Sequence, residues 1–392
     1  MRVLVLGGDG YLGWASAMHL SEKGYDVCVC DNYLRRKLNL EFDSEPLFPI
    51  PQLPARATAW HIKAKQRIKV QVGDLTNWEF VRSLFQTFEP AAVIHYAELP
   101  SAPFSMANRD CAALVLHNNL STTLNIVHAV HEICPNAHII KLGTMGEYGT
   151  PNIDIEEGWI EISHHGRRDK FLYPRQGGSL YHTSKIMDTD LLWFYVRAWG
   201  LRVTDLMQGP VYGVTTDECR FDPALMPHFS YDAVFGTVLN RFVVQAVAGI
   251  PLTVYGSGNQ RRGFLNIKDT LQCVRLVIEN PPRDGELRIC NQFVEVFSIM
   301  DLAERVAAAA NELGIAARIQ HLDNPRLESE QHYYNPVHAT LSQMGLKPHL
   351  LTGSVVEEMI DVVRRHRDRI DQRHILPDIR WRTDLTPARH ET

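Results

Sequence analysis

The segment GGDGYLG places Gly7, Gly10 and Gly13 between an apolar run, Arg2 to Leu6, and a stretch with helical spacing, Ala15 to Lys23. A second apolar run follows from Asp26 to Cys30 and ends in Asp31. Strand, glycine turn, helix, strand and acid in that order open a parallel βαβ sheet. Glycine permits the tight turn, lets backbone N–H groups approach a pyrophosphate, and packs the helix against the sheet. An acid at the end of the second strand accepts hydrogen bonds from both hydroxyls of an adenosine ribose and repels a 2′-phosphate. NAD is therefore the expected cofactor. Arg35 and Arg36 lie just beyond and have the opposite chemistry, since guanidinium groups accept such a phosphate. With Tyr11 and Leu12 of the loop and Asn32 after the acid, they complete the candidate site around the glycines.

Further strands are expected at Lys69–Val72, Ala92–Tyr96, His138–Leu142, Val203–Leu206 and Leu287–Ile289, with helices between them. The alternation predicts a Rossmann-type doubly wound parallel sheet in the α/β class, with a smaller C-terminal substrate-binding domain. Residues 1–205 would form the NAD-binding domain, to which parts of 234–290 return. Residues 206–377 would be mainly the substrate domain, with helices at Val234–Gly249 and Met300–Leu313, and 378–392 a mobile tail. Tyr33 to Gln66, rich in proline, interrupts the order. So long a connection reads either as a functional lid or as a surface insertion with a short helix near Trp60. Asp74 and Leu75, after the strand at Val72, would flank adenine, and Ala97 of HYAE would lie under the pyrophosphate–nicotinamide stretch.

Composition narrows the class of partner. At 392 residues with a net charge of -5, the chain has no electrostatic footprint for nucleic acid or an anionic membrane. No apolar run approaches the ~18 residues of a membrane span. Seven cysteines form neither CxxC pairs nor a disulfide framework, so no metal site is expected. The first strand begins at Arg2 with no leader ahead of it, which sets the cytoplasm as the default location.

Tyr181 and Lys185 stand four apart in YHTSK, on one face of a helix. A neighbouring ammonium favours the phenolate, which can then take a proton from a substrate hydroxyl while the carbon that bears it is oxidised. Tyr and Lys at this spacing also occur by chance in many helices. Their place after Thr144, a hydroxyl at the end of a strand, is what the chemistry requires.

The glycine loop, Asp31, Thr144, Tyr181 and Lys185 together resemble the extended short-chain dehydrogenases, the family of nucleotide-sugar epimerases and dehydratases. Four longer segments narrow the resemblance: LGTMGEYGTPNIDIEEG from Leu142, the YHTSK helix, YDAVFGT with LNRF from Tyr231, and NPRLESEQHYYN from Asn324. They are similar to the sulfoquinovose-synthase branch of that family, along the chain from Arg2 to about Trp381 and including the 33–66 insertion. The resemblance implies NAD as cofactor, a UDP-sugar such as UDP-glucose as substrate, and sulfite as second substrate. It also implies a homodimer through a helix bundle. The reaction it implies is oxidation at C4, loss of water across C5–C6, addition of sulfite and re-reduction at C4.

Residue roles follow from the same resemblance. Where dehydratases carry Asp-Glu after the threonine, this chain has Met145 and Gly146, with the carboxylate displaced to Glu147. Glu147 and His182 are the candidates for moving protons at C5 and C6, and a structural place on the helix is equally open for His182. Asn119 would position the nicotinamide region. Ser101, Gln208, Phe235, Gly236 and Thr237 would contact the substrate, and Arg262 and Arg326 would hold its diphosphate. One departure stands out. Members of that branch carry Glu-Gln-Arg where this chain has Glu98-Leu99-Pro100. Leu and Pro cannot anchor sulfite or a sugar hydroxyl, which opens the alternative of a 4-epimerase or variant dehydratase without sulfonation. A non-catalytic NAD-binding sensor is a further alternative, against which the retained Thr144, Tyr181 and Lys185 argue.

Overall fold

The computed structural model describes residues 1–324 and 332–376. Seven strands form its central sheet: β1 (Arg2–Leu6), β2 (Asp26–Asp31), β3 (Ile68–Val72), β4 (Ala92–His95), β5 (His138–Thr144), β6 (Arg202–Gln208) and β7 (Leu287–Gln292). The order across the sheet is β7-β6-β5-β4-β1-β2-β3, and every pairing is parallel. All five later strand candidates are present, most of them a residue or more longer than the apolar run alone indicates.

Both faces of the sheet are covered at its centre, so β1, β2 and β4 read as continuous apolar runs, whereas the edge strand β3 alternates and is largely exposed. Val3, Val5, Val27, Val29 and Ile94 enter one apolar cluster, and Leu4, Leu6, Cys28, Cys30 and Val93 enter the other. Cys28 and Cys30 act there as small hydrophobes, and all seven cysteines are free. The first cluster continues without a break into Phe242, Leu302 and Ile360 of three C-terminal helices, Val238–Ala248, Ile299–Glu312 and Gly353–Arg364. The helix Ile267–Glu279 adds Cys273, Val274 and Val277 to the same cluster and packs on α1 (Tyr11–Glu22) and on β5.

The 33–66 insertion folds as two helices, α2 (Leu34–Glu41) and α3 (Leu53–Ala64), and is not a surface appendage. Leu47, Phe48, Leu53 and Trp60 are buried in the first cluster, and the Trp60 indole donates to Ser21 Oγ at 3.0 Å. Two of its arginines reach the glycine loop. Arg36 grips the Asp9 carboxylate through Nε (2.5 Å) and Nη2 (2.8 Å), and the fully buried Arg56 adds Nη1 at 3.1 Å. Sequence spacing alone does not show this, because the contacts join segments 27 and 47 residues apart.

Candidate active site

Between β1 and β4 the order of connections reverses, which opens a crevice at the carboxyl ends of the strands. A single cavity of about 360 Å³ occupies it. Its cofactor half is shaped by the glycines. Gly7 has φ +82, and a Cβ there would meet the Tyr96 carbonyl at 2.7 Å; one at Gly13 would stand 2.0 Å from Gly7 O. The loop thus closes where side chains do not fit, and its Gly7 and Gly8 N–H groups both donate to Cys30 O.

Asp31 sits beside that loop, its two oxygens accepting from Asp9 N–H (2.9 Å) and Tyr33 N–H (2.7 Å). Burial outweighs those bonds and raises its carboxyl to about 6. Gly10, Tyr11, Leu12, Asn32, Arg35, Asp74, Leu75 and Ala97 line the same cavity. The two arginines separate. Arg36 is engaged by Asp9 and by the carbonyls of Ile50 and Pro51. Arg35 lies 3.5 Å over the Phe235 ring and donates to Ser230 Oγ at 3.0 Å. The residues present fit a dinucleotide with free ribose hydroxyls: an open glycine turn, an acid at the ribose end, Arg36 paired with Asp9, and Arg35 committed to Asn39, Ser230 and the Phe235 ring.

At the other end, β5 delivers Thr144, whose Oγ1 caps the short turn Met145–Glu147 by accepting from Gly146 N–H at 3.1 Å. The helix Leu180–Trp199 begins on the Ser179 cap and carries Tyr181 and Lys185 one turn apart. Thr144, Tyr181 and Lys185 all line the cavity, as do Gln208, Phe235 and Thr237. Lys185 Nζ donates to Leu142 O and lies 2.5 Å from Glu98 Oε2, with both side chains 3% exposed. Burial pushes the Tyr181 phenol well above its ordinary range, and the carboxylates of Glu98, Glu147 and Asp188 push the same way. The ammonium that should favour a phenolate is therefore already neutralised by an acid. Glu98 was visible in the sequence as an acid just past a strand end, without a partner to give it meaning.

Other candidates stand behind the walls. Glu147 is fully buried, held by Lys141 Nζ (3.2 Å) and Thr189 Oγ1 (3.1 Å), and burial raises its carboxyl. Met145 packs in the second apolar cluster. The His182 ring lies on Gly146, where a Cβ would meet its Nε2 at 2.4 Å, and 5.3 Å from the Tyr181 ring. Asn119 is fully buried, its amide committed to Leu99 N–H (2.9 Å) and Ser184 Oγ (3.1 Å), while its neighbour Asn118 reaches the cavity wall. Ser101 caps the turn Ala102–Ser105 and donates to Val234 O. Gly236 is pressed on Asp232 O. Arg262 bonds Arg261 O (2.6 Å) and His332 Nε2 (3.2 Å) rather than lining the cavity. Arg326 lies outside the described residues. Leu99 borders the cavity with its side chain buried beside Leu38, Phe104 and Val115, and Pro100 is exposed on the rim.

Comparisons with known proteins agree with this geometry. The pattern of the NAD dependent epimerase/dehydratase family matches residues 3–291. The chain is 48% identical over 381 residues to the chloroplastic UDP-sulfoquinovose synthase of Spinacia oleracea, covering 97% of this chain and 79% of that protein. It is 43% identical over 389 residues to the UDP-sulfoquinovose synthase of Sulfolobus acidocaldarius, covering 97% and 98% respectively. Among solved structures, the UDP-glucose 4-epimerase of Bifidobacterium longum, in complex with NAD+ and UDP, superposes with a TM-score of 0.70 at 18% identity, covering 94% of this chain and all of that one.

Proposed function

Because the chain belongs to the NAD dependent epimerase/dehydratase family, the extended short-chain dehydrogenases, we propose that it converts UDP-glucose and sulfite into UDP-sulfoquinovose and water. It is an NAD-dependent enzyme acting on a nucleotide sugar. The observation that carries the reading is the single cleft in which the Asp31–glycine half runs directly into Thr144, Tyr181 and Lys185.

When bound, NAD accepts the electrons released at sugar C4 and returns them at the end of the cycle. The Gly7–Gly13 loop, Asp31, Asp74, Leu75 and Ala97 would hold it. Thr144 orients the C4 oxygen, and Tyr181 takes the proton of the C4 hydroxyl and later gives it back. Lys185 fixes the ribose side of the site and orients Tyr181. Gln208, Phe235 and Thr237 receive the nucleotide. For proton movement at C5 and C6 we retain His182, half-buried beside Tyr181, over Glu147, whose oxygens are locked in a buried network.

Exposed Leu124 on the helix Arg109–Ile133, with Met187 and Phe194 seven apart on the helix Leu180–Trp199, offers an apolar face for a second copy of this chain. One observation favours a second reading. Leu99 and Pro100 present no hydrogen-bonding side chain to the cleft, which suits a 4-epimerase or dehydratase that never meets sulfite. Incubation with a panel of nucleotide sugars, with and without sulfite, followed by mass spectrometry separates the two. A sulfonated UDP-sugar formed only with sulfite supports the first, and an epimer or dehydrated ketosugar alone supports the second.

A further inference from the structure

Glu98 has no part in the chemistry set out above, yet its carboxylate holds the ammonium of Lys185. Past the end of β4 the chain turns sharply, with Glu98 N–H donating to Tyr96 O at 2.8 Å and Leu99 N–H bound by Asn119 Oδ1 at 2.9 Å. The turn aims the acid into the cleft wall, where its side chain is 3% exposed. The Lys185 ammonium, with three N–H groups, lies 2.5 Å from Glu98 Oε2 as an ion pair and donates to Leu142 O. That leaves an N–H for a ligand.

A cation whose counter-ion lies in contact with it acts on a third group as a dipole, with a much weaker field than a free charge. His182 faces the Tyr181 ring at 5.3 Å, and the charged groups packed behind the lysine do not restore that field to Tyr181. His95, 3.5 Å from Glu98 Oε1, is held neutral at ordinary pH, burial lowering it to about 4. Lys141 is paired with Glu147 and Asp205, and Arg175 lies 3.8 Å from Glu147 and 2.9 Å from Asp190. Asp188, one turn beyond Lys185, adds a further buried carboxyl.

We propose that Glu98 is a positioning residue that fixes Lys185 and sets the charge this lysine presents to Tyr181. The inference rests on Tyr181 as the base at C4. In such a cycle the phenol must keep the proton taken from the C4 hydroxyl through the steps at C5 and C6, then return it to the C4 oxygen on reduction. A carboxylate beside the lysine makes the phenol hold that proton more firmly.

The test labels tyrosine at the ring carbon bearing the hydroxyl and follows ionisation by NMR in the NAD-bound protein, with Tyr181→Phe assigning the signal. In Glu98→Gln, Tyr181 should ionise about one pH unit lower than in the wild type. The acid limb of the rate of C4 oxidation should move the same way. Glu98→Asp keeps the charge on a shorter arm and should give an intermediate displacement, which decides the matter should the Gln variant fail to fold. Coincident titrations in wild type and in the folded variants would overturn the proposal. Activity retained in Tyr181→Phe would instead overturn the assignment of the base and leave the NMR result standing.

Discussion

Asp31, proposed to hold the ribose of NAD, should make the binding of NAD depend on pH in one direction. Its carboxyl is raised to about 6 by burial, against the pull of two backbone N–H groups. Ribose hydroxyls donate hydrogen bonds, so the ligand prefers the ionised acid, which is the form burial disfavours. Binding must therefore drive deprotonation, and affinity falls as pH drops through the pKa of the free protein. Above about pH 7 the dissociation constant should be flat. At about pH 5, one unit below the midpoint, about a tenth of the molecules carry the ionised acid, and affinity should be about tenfold weaker. Titration calorimetry of the apoprotein with NAD, from about pH 8 to about pH 5, reads this directly, with about one proton released per NAD bound at the acid end. Asp31→Asn should bind more weakly throughout and lose the dependence, since the amide does not titrate in this range. The folded protein carries the matching signature. An acid whose pKa is higher folded than unfolded favours folding while protonated, so this contribution is full below about pH 4 and lost as pH rises through about 6. A dissociation constant that does not change between about pH 8 and pH 5, or a dependence that survives in Asp31→Asn, would refute the reasoning.

The clamp on the glycine loop gives a stability prediction. Asp9→Asn keeps the shape but leaves Arg56, whose side chain is 0% exposed, without its anion, and should cost about 3–5 kcal/mol in urea unfolding; an unchanged midpoint would show that the clamp is not energetically coupled to the fold. At the rim, Pro100→Arg places a cation on an exposed position without disturbing the core, whereas Leu99→Gln would bury an amide among Leu38, Phe104 and Val115. A recovered charge-assisted hydrogen bond is worth about 1.5–3 kcal/mol, so the Arg variant should lower the KM for sulfite by about one to two decades. No change would mean that position 100 does not face the nucleophile.

The sequence was most legible where its own neighbours carry the information. Gly7, Gly10, Gly13 and Asp31 act through local turns and a strand end, and their arrangement in the structure follows the order in which they are read. Thr144 with Tyr181 and Lys185 was legible because a strand end and a helix turn need no long-range knowledge. Pairings across the fold were not. Nothing near Arg36 announces that Asp9 holds it, and nothing near Lys185 announces Glu98, 87 residues earlier in the chain. Asn118 and Asn119 show the limit differently. Adjacent helical residues point about 100° apart, and only packing decides which meets the cleft. Glu147 shows it too, because nothing near a carboxylate after a strand end announces that Lys141 and Thr189 enclose it.

The central claim, that Tyr181 serves oxidation at C4 of a UDP-sugar, is tested most directly by rapid mixing of the NAD-bound protein with UDP-glucose carrying deuterium at C4. The near-ultraviolet absorbance of reduced nicotinamide should rise within the first turnover, more slowly with deuterium than with hydrogen. In Tyr181→Phe that rise should be slower by about 100- to 10,000-fold. A product formed with no such absorbance, with no isotope effect on it, or at a wild-type rate by Tyr181→Phe would contradict the account.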